Sequence, residues 1–241
     1  MAGPKLVSVE DVSKKFCADL ARALPYAVAD AGRHLLTRRQ LSADLRPGEF
    51  WALRDVSFDL GRGESLAVMG VNGAGKSTLL KLLLGGLRPT QGRIVPRGYL
   101  GALTEMGLGF DPVLSGRENV FMSAAVLGID RNRVREGFEE ILEFSGIGDF
   151  IEAPVQTYSS GMRARLGFSV AMFLEPDILL VDEVLAVGDI GFQRKCIGRA
   201  RRYLERGGSL ILVSHNVHQV QHMCSRSLVL HRGAMVFDGN P

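Results

Sequence analysis

Two kinds of hydrophobic pattern alternate along the chain. SLAVM at Ser65–Met69, ILLV at 178–181 and SLILV at Ser209–Val213 are short apolar runs bounded by turn or charged residues. Such runs suit strands buried on both faces of a largely parallel sheet. Further strands are predicted near 6–12 and 53–60, and SLVLHRGAMVFDG predicts two strands around an Arg-Gly turn. Between the first two runs, RENVFMSAAVLGI and RNRVREGFEEILEFSGI read as helices, with Val134, Phe138, Ile141 and Leu142 at helical spacing. Alternating strands and helices with no internal repeat indicate one α/β domain over 1–241, with a helical subdomain at 105–158 between flanks 1–104 and 159–241.

Residues 18–49 read as an insertion between the first two strands. Pro25 is suited to open a helix over 25–36, with Arg33, His34, Arg38 and Arg39 near its end, where cations favour the helix dipole. Leu20, Leu24, Val28, Ala31 and Leu35 recur every three or four residues, so the helix is amphipathic. It either covers its own domain or contacts a membrane or a membrane subunit, and both readings stay open at this level.

Composition narrows the class. With 241 residues, 46% apolar and 23% charged, the chain is an ordinary globular sequence rather than a disordered, collagenous or coiled-coil one. No stretch approaches the roughly 18 apolar residues of a membrane span, and the first residues lack the apolar core of a signal peptide, so a cytosolic protein is expected. Cys17, Cys196 and Cys224 are widely spaced and include no CxxC pair, which argues for reduced thiols. The net charge of +3 arises within residues 1–40, where seven basic face four acidic groups. A local basic face fits anionic lipid or a protein partner; a nucleic-acid groove needs a wider basic stripe, and no nucleic-acid partner is expected.

The chemistry starts at GVNGAGKST, comprising Gly70, Val71, Asn72, Gly73, Ala74, Gly75, Lys76, Ser77 and Thr78. It matches GxxxxGK[ST] between a predicted strand and the helical run LLKLLLGG. Its glycines let backbone amides curl around a polyphosphate, Lys76 can neutralise the β and γ phosphates, and Ser77 can ligate Mg²⁺. A purely structural glycine turn is the competing reading, and Lys-Ser-Thr in this context speaks against it. Asp182 and Glu183 end the ILLV run. One carboxylate there can hold Mg²⁺ and the next can orient water and take its proton; capping a helix is the plainer alternative.

Tyr158-Ser159-Ser160-Gly161-Met162 opens a predicted helix about twenty residues before that run. In the order phosphate loop, YSSGM, ILLVDE, and a strand ending at Ser214-His215, the chain resembles the nucleotide-binding subunit of ABC transporters. The resemblance implies a RecA-like, mostly parallel core sheet with an antiparallel β subdomain and an inserted helical subdomain. It also implies a head-to-tail homodimer holding two ATP molecules with Mg²⁺. Ser159, Ser160, Gly161 and Met162 would then meet ATP held by the other chain, Asp189 would be the D-loop aspartate, and His215 would help Glu183 position water. Phe16 is the position matching the adenine-stacking aromatic. Two departures stand out: Met162 replaces the usual glutamine, and Glu105 is the candidate for the glutamine normally found at the entry to the helical subdomain. His215, His218 and His222 lie at helical spacing, but the nucleotide reading explains His215 without a metal, and the other two read as an exposed helix face.

FWALRDVSF, GLGFDPVLSGREN, YSSGMRARLGFSVA and VDEVLAVGD together resemble the Wzt-like ATPases of bacterial polysaccharide exporters. That resemblance implies a polytopic transmembrane subunit as partner, a lipid-linked glycan such as O antigen or teichoic acid as cargo, and a peripheral position on the cytoplasmic side of the inner membrane. It also places the partner's coupling helix near Phe110, Asp111 and Pro112. The competing class is a non-transport ABC ATPase switching on ribosomes or DNA; those relatives carry paired ATPase units or long coiled coils, which are not seen here. A phosphotransferase is disfavoured by the Asp-Glu pair.

Overall fold

The computed structural model describes residues 4–19, 21–26, 28–29, 44–103, 110–126, 129–182 and 189–241. Among the described residues nine strands form two sheets. β2 (Glu49–Gly61), β1 (Lys5–Cys17) and β4 (Gln91–Pro96) make an antiparallel three-stranded sheet. The second sheet has the order β5 (Leu100–Leu103), β6 (Ile178–Asp182), β7 (Ser209–Val213), β3 (Ser65–Met69), β8 (Arg226–His231), β9 (Ala234–Gly239). Its strands are parallel except β9, which returns antiparallel to β8.

The three apolar runs recognised in the sequence are β3, β6 and β7, at the centre of this sheet. Leu66, Ile178, Leu179, Leu180, Leu210, Ile211 and Leu212 have no solvent exposure because neighbours cover both sheet faces. One face packs on the antiparallel sheet and on helix α1 (Lys76–Leu83), through Val7, Val56, Leu60 and Leu79. The other receives α4 (Ser160–Phe173), α5 (Ile190–Glu205) and α6 (Val217–Met223). Deleting such a leucine costs about 2–5 kcal/mol, so this layer accounts for much of the fold's stability.

α2 (Gly116–Val126), α3 (Arg131–Ser145) and two short 3-10 turns enclose a separate apolar cluster built on Val120, Val134, Phe138, Ile141 and Tyr158. α3 starts at Asp130, whose carboxylate accepts from the Asn132 amide, and stops at Gly146 in the left-handed region. α4 serves both cores. Leu166, Val170 and Leu174, its C-cap residue, enter the helical cluster, while Phe168, Ala171 and Met172 face the sheet.

Several elements depart from the sequence reading. β1 runs on to Cys17 because a bulge at Asp11, φ 47°, absorbs an irregularity opposite Ser57, whose hydroxyl accepts from the Asp11 amide. β4 and β5 carry too little alternation to be read locally; pairing with β1 and β6 makes them strands. Pro25 does not open the inserted helix. Residues 21–26 are already helical, because the Asp19 carboxylate accepts from the Ala21 amide and its carbonyl from Arg22 and Ala23. Helix persists at 28–29, Leu24 and Val28 are largely exposed, and Leu20, Ala31 and Leu35 lie outside the described residues.

Candidate functional site

β7 lies between β6 and β3, with Val213 opposite both Asp182 and Val68. The loop after β3, Asp182, and Ser214-His215 therefore gather along one carboxyl edge of the parallel sheet, where open α/β folds bind ligands. Ser214 is buried and locks the turn after β7: its amide donates to the Val68 carbonyl at 3.3 Å, and its hydroxyl accepts from the Asn216 amide at 3.0 Å. His215 itself is exposed.

A cavity of about 770 Å³ opens over the loop. It is lined by Asn72, Gly73, Gly75, Lys76, Ser77 and Thr78 of the loop, by Asp182, and by Phe16, Phe50, Trp51, Ala52 and Arg232. The sequence pattern assigned the glycines to ligand access. The structure adds close packing as a second reason. A Cβ on Gly75, at φ 108°, would fall 2.6 Å from the Ala52 carbonyl oxygen, and one on Gly70 would fall 2.4 Å from that of Leu230. Any side chain at either position would push the loop off β2 or β8.

Lys76 is only 8% exposed, and its Nζ donates to the carbonyls of Gly70 at 2.7 Å and Val71 at 3.2 Å. Among the described residues no carboxylate pairs with it. A buried ammonium satisfied by neutral carbonyls alone beside the amino end of α1 suits an anion, which offers a stronger charge-assisted partner. The cap residue of α1, Gly75, provides no side-chain hydrogen bond, so the first amides keep their donors for a ligand. Ser77 and Asp182 line the same cavity and are the oxygen donors a Mg²⁺ ion prefers. The residues present therefore fit a nucleoside triphosphate with its metal.

Phe16, 36% exposed, meets Phe50, 47% exposed, with ring centroids 6.3 Å apart. Phe50, Trp51 and Arg232 were not anticipated as cavity residues, because their proximity depends on β1–β2 pairing and on the β8–β9 turn. The residues preceding them, Lys15 and Glu49, form a buried ion pair at 3.0 Å. Lys14 donates to the Arg88 carbonyl, and burial lowers its pKa.

Ser159, Ser160, Gly161, Met162, Asp189 and His215 do not line this cavity. Ser159 caps α4, its hydroxyl accepting from the Met162 amide at 3.1 Å, and Met162 packs against the helical cluster, which rationalises an apolar residue there. Asp189 caps α5, accepting from the Phe192 amide at 2.9 Å, and pairs with Arg165 of α4, which the sequence reading had not singled out. The Phe192 amide, with Arg165 assisting, holds the Asp189 carboxyl below its usual range. Asn119, also not anticipated, is fully buried and organises the loop from Asp111 to Ser115: its amide group donates to the carbonyls of Asp111, Leu114 and Ser115, and its Oδ1 accepts from the Asp111 amide. Phe110 is partly buried and Val113 is exposed on that loop. His218 and His222 are exposed on α6. Glu183 and Glu105 lie outside the described residues.

A family model described as ABC transporter matches residues 53–186, more than half the chain. This chain belongs to the ABC transporter family. It is 49% identical over 182 residues to the O-antigen export system ATP-binding protein RfbB of Klebsiella pneumoniae, covering 76% of this chain and 74% of that one. It is 41% identical over 184 residues to the teichoic acids export ATP-binding protein TagH of Listeria innocua, covering 76% of this chain and 55% of that one. Among solved structures, an ATP binding subunit of an ABC transporter superposes with a TM-score of 0.78 at 21% identity, over 98% of this chain and 90% of that one. This ABC ATPase fold is the expected mostly parallel core with an antiparallel sheet and added helices.

Proposed function

We propose that this chain is the ATP-hydrolysing motor subunit of an exporter that moves a lipid-linked polysaccharide across the bacterial cytoplasmic membrane. The observation that carries the reading is the 49% identity to an O-antigen export ATP-binding protein over a stretch comparable to three quarters of the chain. The identity to a teichoic acid export protein keeps the cargo class at glycans of that kind.

The loop from Gly70 to Thr78 cradles the phosphate chain, with Lys76 exchanging its carbonyl partners for the β and γ phosphates. Ser77 and Asp182 hold Mg²⁺, which when bound neutralises phosphate charge. Phe16 stacks on adenine. Glu183 takes a proton from the attacking water, whose oxygen bonds to the γ phosphorus as the bond to the ADP oxygen breaks, and His215 helps to orient that water. Glu105, the candidate for the family's glutamine, would contact the Mg²⁺ or the water through its carboxylate.

Ser159, Ser160, Gly161 and Met162 serve the ATP of a second copy, and Asp189 lies in the segment that crosses the dimer. Their separation from this chain's own cavity supports a site completed by two chains. The partner in the membrane is a polytopic subunit. The loop held by Asn119 receives its coupling helix, and the exposed apolar residues Leu24 and Val28 of the inserted helix contact it as well. The chain is then peripheral, on the cytoplasmic side; among the described residues no helix is long and apolar enough to cross a membrane.

Affinity purification of the tagged chain from native membranes in mild detergent tests this reading. Recovery of a polytopic subunit with lipid-linked glycan supports it, and recovery only with ribosomes or DNA-bound complexes overturns it. Glu183→Gln is expected to keep ATP binding and to trap a closed dimer on size-exclusion chromatography with ATP. Unchanged turnover in that variant would remove Glu183 from the catalytic role.

A further inference from the structure

The β8–β9 turn places an arginine at the nucleotide cavity that none of the motifs accounts for. His231 pairs with Ala234, so Arg232 and Gly233 form a two-residue turn, with φ of 47° and 79°. Both angles are left-handed, the geometry of a type I′ hairpin turn, which strongly prefers Asn, Asp or Gly at its first position. An arginine there is strained, and non-glycine residues in this region concentrate at functional sites.

Packing holds the turn against the loop. The Gly233 amide donates to the Ala74 carbonyl at 3.0 Å, and its carbonyl accepts from the Arg54 amide at 2.8 Å. The turn is thus tied to the phosphate loop on one side and to β2 on the other, and Arg232 lines the cavity beside Ala52. The other cations around the cavity are engaged: Lys15 by Glu49, Lys14 by the Arg88 carbonyl, and Lys76 by Gly70 and Val71. Among the described residues no carboxylate pairs with Arg232.

We infer that Arg232 is a nucleotide-affinity residue, whose guanidinium contacts the phosphate chain held by the adjoining loop. The inference rests on the nucleotide reading above and deepens it. A guanidinium suits this position because it stays charged at any working pH and presents several donors to phosphate oxygens. Arg232 stands apart from the motif residues given the chemical step, so it tunes how tightly nucleotide is held rather than how fast it is cleaved.

The test is calorimetric titration of the purified chain with Mg-ATP, alongside thermal denaturation without nucleotide. Arg232→Asn installs a better turn residue, so its melting temperature is expected to equal or exceed that of the parent, while the Kd for ATP rises about three- to tenfold. Arg232→Lys, which keeps the charge, is expected to fall between the two. The gap between parent and Arg232→Asn is expected to shrink at ~1 M salt, as an exposed electrostatic contact does and a purely structural role does not. In steady-state assays KM rises and kcat holds. Parent-like ATP affinity in a folded Arg232→Asn protein overturns this inference and leaves the nucleotide reading intact. Failure of the parent itself to bind ATP overturns that reading first.

Discussion

One continuous stretch of the cavity lining supplies Asn72, Gly73, Gly75, Lys76, Ser77 and Thr78. The rest of the lining is gathered from Phe16 on β1, Phe50 to Ala52 on β2, Asp182 at the end of β6 and Arg232 in the β8–β9 turn, segments separated by long stretches of chain. A site read from contiguous residues depends on local backbone geometry and the start of one helix. A site gathered from distant strands depends on every register between them. The difference predicts that substitutions in the continuous loop act on chemistry and folding, whereas those at the gathered residues Phe16, Phe50 and Arg232 act on affinity.

The largest effect is expected at Lys76. Lys76→Ala should lower ATP hydrolysis by on the order of 100-fold or more, measured as phosphate release, because the buried charge facing the phosphates is lost. Glycines within the loop should separate by packing. Gly75→Ala should cost about 2–4 kcal/mol in urea unfolding, since its Cβ meets Ala52 and Leu53 at a left-handed φ. Gly73→Ala, with nothing within 4 Å of the added carbon, should cost only about 1–2 kcal/mol from backbone strain. Equal losses at the two positions would show that packing on β2 is not what holds the loop.

Among the gathered residues, Phe16→Ala and Phe50→Ala should each weaken ATP binding about tenfold and leave inorganic triphosphate binding unchanged, as loss of base stacking does. A comparable loss for triphosphate would mean that the aromatic pair supports the loop rather than the base. The smallest effect is expected outside the cavity. Asp189→Ala removes the cap of α5 and should lower the melting temperature slightly at neutral pH. The Phe192 amide and Arg165 depress the Asp189 pKa, so its contribution is present above the usual carboxylate range and lost as the pH falls through the lowered value. The deficit of the variant should therefore vanish in acid.

Much of this molecule is legible locally. The buried strands β3, β6 and β7 announce themselves because burial on both faces demands unbroken apolar runs. The phosphate loop does so because tight turns and anion binding demand particular residues at fixed spacing. β4 and β5 did not, since edge and short strands owe their state to a neighbour. The inserted helix starts ahead of Pro25 because Asp19 caps it. Asn119 went unread because a single asparagine says nothing until its loop closes around it. Arg165 went unread because its value lies in meeting Asp189 across two helices.

By itself the sequence determined the α/β class, the phosphate loop with Asp182 at the end of a buried strand, and the family to which the chain belongs. Each is set by residue type at short range, where steric and hydrogen-bonding demands act along the chain. Only the tertiary structure decided that Gly70 and Gly75 are also packing positions, that Phe50 joins Phe16, and that Arg232 reaches the cavity. Those facts arise where strands distant in sequence come within contact of one another, and no local pattern encodes that distance.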